Sequence, residues 1–229
     1  MKAVSSLVLL ALIVAGCAKT ENAPPADTSM PTAAATDADP DVSVSGGSVP
    51  AGFIARTDKA DAKITDAAYT PAGDKWEVKT GPAHIVYSDK TTGTGNYTAS
   101  GTIEQLEAPT HAEAYGIFIG GRDLDKPTQA YTYFIVRGGG EMAVKVREGD
   151  KTRDVIKWTA SPDVPRADAS GKATYALAAQ VTDDAVKFSV NGKQVGSVSK
   201  AGLPTDGIAG LRINHNLRVN VTPVTVNTP

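Results

Sequence analysis

Tyr131, Tyr133 and Arg137 occupy alternate positions of the run AYTYFIVR, with Phe134 and Val136 between them. Successive side chains of an extended strand point to opposite faces, so the tyrosines and the arginine share one face and the apolar pair shares the other. The same parity sets Lys145 and Arg147 opposite Val144 and Val146, and Arg212 and Asn214 opposite Leu211 and Ile213. Rings stack on apolar surfaces, while forked guanidinium donors fix hydroxyls or carboxylates. Such a face is therefore suited to capturing a carbohydrate or a peptide. His215 adds a third hydrogen-bonding side chain within Asn214-His215-Asn216, a run that also suits a chain reversal because Asn tolerates positive φ. The candidate binding set is Tyr131, Tyr133, Arg137, Arg147, Arg212, Asn214 and His215. The competing reading of the same pattern is a solvated face whose arginines form cross-strand pairs.

Other chemistry finds little support. Glu104 and Glu107 are three apart, which on a strand sends them to opposite faces, and Glu113 lies beyond the break at Pro109. No catalytic residue is expected. His84, His111 and His215 lack metal-ligand spacing, and Cys17 is the only cysteine, so no Cys/His site can be assembled. His84 should share a face with Val86. Asp123 and Asp125 could lend carboxylates to Ca²⁺, which takes about six to eight oxygens. Arg122 and Lys126 flank them and favour an ion-paired loop instead, and no cofactor or metal is expected.

The elements that must position these residues read as strands. The stretch from Tyr115 to Arg147 holds three alternating runs separated by GGRDLDKPTQ and RGGGE, which supply the Gly, Pro and Asp that reversals need. Before it, Asp74–Thr80 and Ala83–Ser88 flank Gly81-Pro82 as an expected hairpin, and Asn96–Leu106 is a longer strand. After it come Thr152–Thr159, Lys172–Thr182 and Val186–Val190. Asn191-Gly192 is the strongest short hairpin signal. Lys193–Ser199, Gly207–Asn214 and Leu217–Val224 close the set. No run of helical period appears after the first residues, so the fold class is all-β: a two-sheet antiparallel sandwich over residues 51–229.

Those residues carry a resemblance. Tyr115-Gly-Ile-Phe-Ile-Gly-Gly, Tyr131-x-Tyr133-Phe134-x-x-Arg137, Trp158, Leu177 to Val181, Val186-x-Phe188-x-Val190-Asn191-Gly192-x-x-Val195 and Gly207-x-x-Gly210-Leu211-Arg212 together resemble the concanavalin A-like jelly roll. Legume lectins, laminin G-like modules and laminarinase-type glucanases share that fold. The resemblance implies a jelly roll from about residue 75 to 226, and it leaves lectin, enzyme and spacer roles open. In the glucanases the catalytic carboxylates stand as Glu-x-Asp-x-Glu on one strand, a pattern this chain lacks. Lectins and laminin G-like modules often hold calcium at loops.

The amino terminus supplies an address. Lys2, the apolar run Leu7–Val14 and the small pair Ala15-Gly16 read as a signal peptide over residues 1–16, too short to span a bilayer. Val14-Ala15-Gly16-Cys17 resembles the lipobox of bacterial lipoproteins, which implies a lipidated Cys17 held on a membrane through its acyl chains. Ala18 after the cysteine implies the outer membrane and its periplasmic face. Residues 17–50, rich in Ala, Pro, Thr, Ser and Asp, bury too little apolar surface to fold and read as a flexible linker, reaching roughly 30 Å. Lys19 against five acidic residues gives this linker a net charge of −4; the chain totals −2 and the signal contributes +1, which leaves +1 for residues 51–229. So balanced a domain argues against nucleic-acid binding. The expected partners are the membrane, through Cys17, and a glycan or envelope protein. The expected role is a tethered, non-catalytic binding module, with a glycoside hydrolase-like enzyme or a purely structural lipoprotein as alternatives.

Overall fold

The computed structural model describes residues 39–229. The expected signal peptide, Cys17 and most of the linker lie outside the described residues. Among the described residues, β-branched and aromatic side chains alternating with polar ones build fifteen strands. The first seven are β1 (Ile54–Thr57), β2 (Ala67–Ala72), β3 (Lys75–Thr80), β4 (His84–Gly93), β5 (Tyr97–Gln105), β6 (Ala114–Arg122) and β7 (Ala130–Arg137). They are followed by β8 (Glu141–Glu148), β9 (Lys151–Ala160), β10 (Ala173–Val181), β11 (Ala185–Val190) and β12 (Lys193–Ser199). The last are β13 (Gly207–Ile213), β14 (Arg218–Val221) and β15 (Thr225–Asn227). A single 3-10 turn, Ile64–Asp66, is the helical element among the described residues.

The strands form two antiparallel sheets. One has seven strands in the order β1-β4-β13-β6-β7-β8-β9; the other runs β12-β11-β10-β5-β14-β3-β2, with β15 added alongside β5. Between them, Ile117, Phe134, Val136, Val144, Leu211 and Ile213 of the first sheet meet Ile103, Tyr175, Leu177, Ala179 and Phe188 of the second. Ring contacts cross the gap, with Phe134 and Phe188 centroids 5.2 Å apart and Tyr115 and Tyr175 5.5 Å apart. The predicted all-β sandwich is the observed architecture.

The three central strands pair as expected, with Tyr131 opposite Arg147, Tyr133 opposite Lys145 and Arg137 opposite Glu141. The expected hairpin of residues 74–80 and 83–88 does not form. β3 pairs with β2 and β14 in one sheet, while β4 pairs with β1 and β13 in the other. Gly81-Pro82 is therefore a crossing between sheets. A Cβ at Gly81 would lie 2.2 Å from the Val42 carbonyl oxygen, and Pro82 has no N–H with which to continue the β3 ladder. Leu217–Val224 is likewise not one strand. Pro223 falls between β14 and β15.

The compact unit runs from Pro40 to Pro229, so it begins before the expected boundary at residue 51. Val42 N donates to Asn216 Oδ1 at 2.8 Å, Asn216 Nδ2 donates to the Pro40 carbonyl at 3.0 Å, and Val49 packs on the core. Asn216 can do this because it sits at φ 52 in the turn between β13 and β14. No helix among the described residues is long and apolar enough to cross a membrane.

Candidate functional site

The outward side of the seven-stranded sheet is not simply polar. Ile85, Tyr87, Phe118, Tyr131, Tyr133, Ile135 and Ala143 form a second apolar cluster there, with Trp158 and Ile208 packed against it. Parity placed Tyr131 and Tyr133 on this face correctly. It did not show their burial: Tyr131 is 1% exposed and Tyr133 7%. The rings are a floor rather than an exposed stacking surface. Phe118 and Tyr131 centroids are 5.1 Å apart, and Tyr131 and Tyr133 5.5 Å, so the floor is continuous. Burial pushes the Tyr133 phenol up to about 12 and raises that of Tyr131 as well.

An ionic layer lies on this floor. Arg212, buried apart from 7% of its surface, holds Asp58 with both terminal nitrogens, the Nη1 to Oδ1 distance being 2.7 Å. Its guanidinium carbon stands 6.0 Å from the Tyr133 ring centroid. Burial is the largest single influence and works against the Arg212 cation, but the charge and hydrogen bonds of Asp58 together with the Tyr131 and Tyr133 phenols outweigh it, so the guanidinium is held charged above its ordinary range. Arg147 approaches the same carboxylate at 3.7 Å and donates from Nε to the Gly149 carbonyl at 2.8 Å. Two guanidiniums thus share one carboxylate, leaving local positive charge above aromatic rings.

Toward the edge strands the layer continues as pairs. Arg137 Nε donates to Glu141 Oε2 at 2.6 Å while its guanidinium covers the Trp158 ring at 4.5 Å. Lys145 Nζ lies 3.1 Å from Asp154 Oδ1. The hydrogen bond from Arg137 holds the Glu141 carboxyl below the usual range.

Four predicted residues, Tyr131, Tyr133, Arg147 and Arg212, therefore gather around Asp58. The other three lie elsewhere. Arg137 sits where β7 ends, on Trp158, and Asn214 and His215 gather around Glu113. Asn214 Nδ2 donates to Glu113 Oε2 at 2.9 Å, and the two His215 ring nitrogens lie 2.9 Å from Glu113 Oε1 and 3.1 Å from Asp41 Oδ1. Asp58, Glu113 and Glu141 were not among the candidates. Asp58 follows the short β1 in a loop with no periodic signal, and its partner Arg212 is 154 residues away.

The remaining chemical residues have structural partners. His84 is wholly buried, faces the core side with Val86, and donates from Nδ1 to the Pro82 carbonyl at 3.0 Å, so Nε2 accepts from the Tyr69 hydroxyl. Burial lowers its pKa to about 4. Asp123 accepts from Lys126 at 2.9 Å and from Thr128 at 3.3 Å, which is the ion-paired loop that its neighbours suggested. Glu104 belongs to the other sheet, where Lys75 and Asn220 hold it.

No family model matches the chain, and no curated protein matches it in sequence. Solved structures do. A carbohydrate-binding module, CBM66, from Bacillus subtilis superposes with a TM-score of 0.55 over 77% of this chain and 96% of its own, at 13% identity. A Bacillus subtilis protein of unknown function with a galectin-like fold gives 0.54 at 12% identity, over 77% and 89% of the two chains. A family 16 endo-glucanase from Bacteroides ovatus gives 0.53 at 9% identity, over 76% and 94%. The fold is a galectin-like, concanavalin A-like jelly roll. At these identities the likeness carries architecture, and the jelly roll is shared by a binding module and an enzyme alike.

Proposed function

We propose that this chain is a lipid-tethered, non-catalytic recognition module of the bacterial cell envelope, capturing a glycan on the outward face of its seven-stranded sheet. The observation that carries this reading is the ionic layer of Asp58, Arg147 and Arg212 above the Tyr131–Tyr133 floor, extended by Lys145 and by Arg137 on Trp158. Fixed donors and acceptors beside the half-buried Trp158 ring suit the alternating hydroxyls and C–H faces of a sugar chain. The existence of a carbohydrate-binding module on the same fold supports the reading. Anchoring rests on the lipobox-like segment ending in Cys17, with Ala18 favouring the outer membrane and its periplasmic side.

Hydrolysis is the weaker reading. Glycosidases need a carboxylic acid that stays protonated near neutral pH beside a second, free carboxylate. On this face Asp58 is held by Arg212 and Arg147, Asp154 by Lys145, and Glu141 by Arg137, which keeps it ionised.

A glycan array probed with the full-length protein and with Lys145→Ala and Trp158→Ala tests the proposal. Wild type should retain a subset of glycans that both variants lose by at least about tenfold in affinity. Arg212→Ala is a poor probe, since it leaves Asp58 without its main partner and unsettles the fold. Equal retention by all three proteins would discard the face as a capture surface.

A further inference from the structure

Where β7 turns into β8, at one end of the sandwich, loops from both sheets line an open cavity of about 320 Å³. One wall is the segment 108–113, a second is Gly138 and Gly139, and a third is the segment 167–171. Gln105 closes the inner end. It is 2% exposed, its Oε1 accepts from the Tyr115 hydroxyl at 2.9 Å, and its Nε2 donates to the Gly171 carbonyl. The walls are fastened to one another. Ala167 N donates to the Gly138 carbonyl at 2.9 Å, and a Cβ at Gly171, whose φ is +78, would lie 2.0 Å from Ala108 N. Only glycine lets the two loops meet there, so the cavity is set by the backbone and is preformed.

Its polar groups are only partly engaged. Arg137 gives Nε to Glu141 and its plane to Trp158, while its terminal Nη groups carry no hydrogen bond among the described residues. Asp168 accepts from Ser170 and Lys172 through Oδ1 alone, which leaves Oδ2 open. Glu113 also lines the cavity, with both oxygens already held by Asn214 and His215, and Pro109 and Ala112 supply small apolar wall. An anionic ligand would meet both carboxylates, and Glu141 already balances the charge of Arg137. The forked terminal donors of Arg137 and the open Oδ2 of Asp168, lining one cavity with small apolar walls, instead match vicinal hydroxyls, which accept from one and donate to the other. The volume lies at the lower end of the ~300–1,000 Å³ typical of ligand sites, enough for one ring and not a chain.

We propose that this cavity is a second binding site, separate from the sheet face, that holds one neutral sugar residue through two neighbouring hydroxyls. It shares with the proposed function only the class of ligand. The test is a nitrogen-15 NMR titration of the full-length protein with glucose, galactose, mannose and fructose, and with glucuronate as the charged control. At least one neutral sugar should shift the amides of Gly138, Gly139, Asp168 and Ala169. Filling the cavity by Ala169→Trp, or more gently by Ala112→Leu, should weaken that response at least about tenfold. Absence of any response to the four sugars, shifts confined to Tyr133, Lys145 and Arg147, a stronger response to glucuronate, or undiminished binding by both folded variants would each overturn the site. Pocket shifts alongside an empty glycan array would leave the cavity standing and remove the face.

Discussion

Asp58 is the residue on which the outward face converges, because it is the shared counter-charge of Arg212 and Arg147. Replacing it with alanine strands a guanidinium that is 7% exposed above a hydrocarbon and phenol floor. Removing one partner of a buried ion pair costs about 3–5 kcal/mol. Asp58 keeps 24% of its side-chain exposure, so the lower end, about 3 kcal/mol, is expected for Asp58→Ala. Urea unfolding of wild type and variant measures it, and coincident midpoints would show that the pair does not hold the face together.

His84 makes a prediction about acid. Its pKa falls from the ordinary 6.5 to about 4 in the fold because burial penalises the imidazolium. The fold therefore binds the neutral ring, and its contribution is full above pH 6.5 and is lost as pH drops from 6.5 to about 4. The size is on the order of 3 kcal/mol. Stability measured across that interval should decline less steeply in His84→Gln than in wild type. Parallel curves would mean that the ring is not kept neutral by the core.

At the scale of elements, the Asn191-Gly192 turn fixes the register of β11 against β12. Asn191 adopts φ 49 and Gly192 φ 79, the positive values of a tight hairpin reversal. The Asn191 side chain also ties this turn to β10, accepting from Ala176 N at 2.7 Å and donating to the Thr174 carbonyl at 3.2 Å. Asn191→Ala loses both bonds and strains the left-handed backbone, for an expected loss of about 1–3 kcal/mol. Thermal or chemical unfolding reads this directly, and an unchanged midpoint would contradict it.

The sequence was informative about elements wherever period two was strong. Tyr115–Arg147 gave β6, β7 and β8, and alternation put Phe134, Val136 and Val144 on the inter-sheet side and Tyr131 and Tyr133 on the outward side, whereas Phe118 of β6 belongs to the outward cluster although its apolar character alone suggests the core. β2, AAYTPA, was invisible: its small residues, proline and single tyrosine show no alternation, and its pairing with β3 depends on packing. The Gly81-Pro82 signal was real but ambiguous. A local turn motif does not say whether the chain reverses within its sheet or passes to the opposite one. In the candidate site the arginines and tyrosines could be placed by parity, whereas Asp58 and the burial of the rings followed from contacts between distant segments.

For the whole molecule, the proposed membrane attachment depends on the single thiol of Cys17. Cys17→Ser should move the protein from the membrane pellet to the soluble fraction, since the acyl chains are the expected anchor. Sedimentation indistinguishable from wild type would remove lipidation from the account.

The contact between Val42 and Asn216 bears on how the domain carries mechanical load. A pull applied at Pro40 reaches the Asn216 side chain through its two bonds to Pro40 and Val42 before it reaches β1. Asn216 stands in the link between β13, in one sheet, and β14, in the other. Tension is thereby divided between both layers at an interior junction, and the edge strand β1 is spared from being peeled away first.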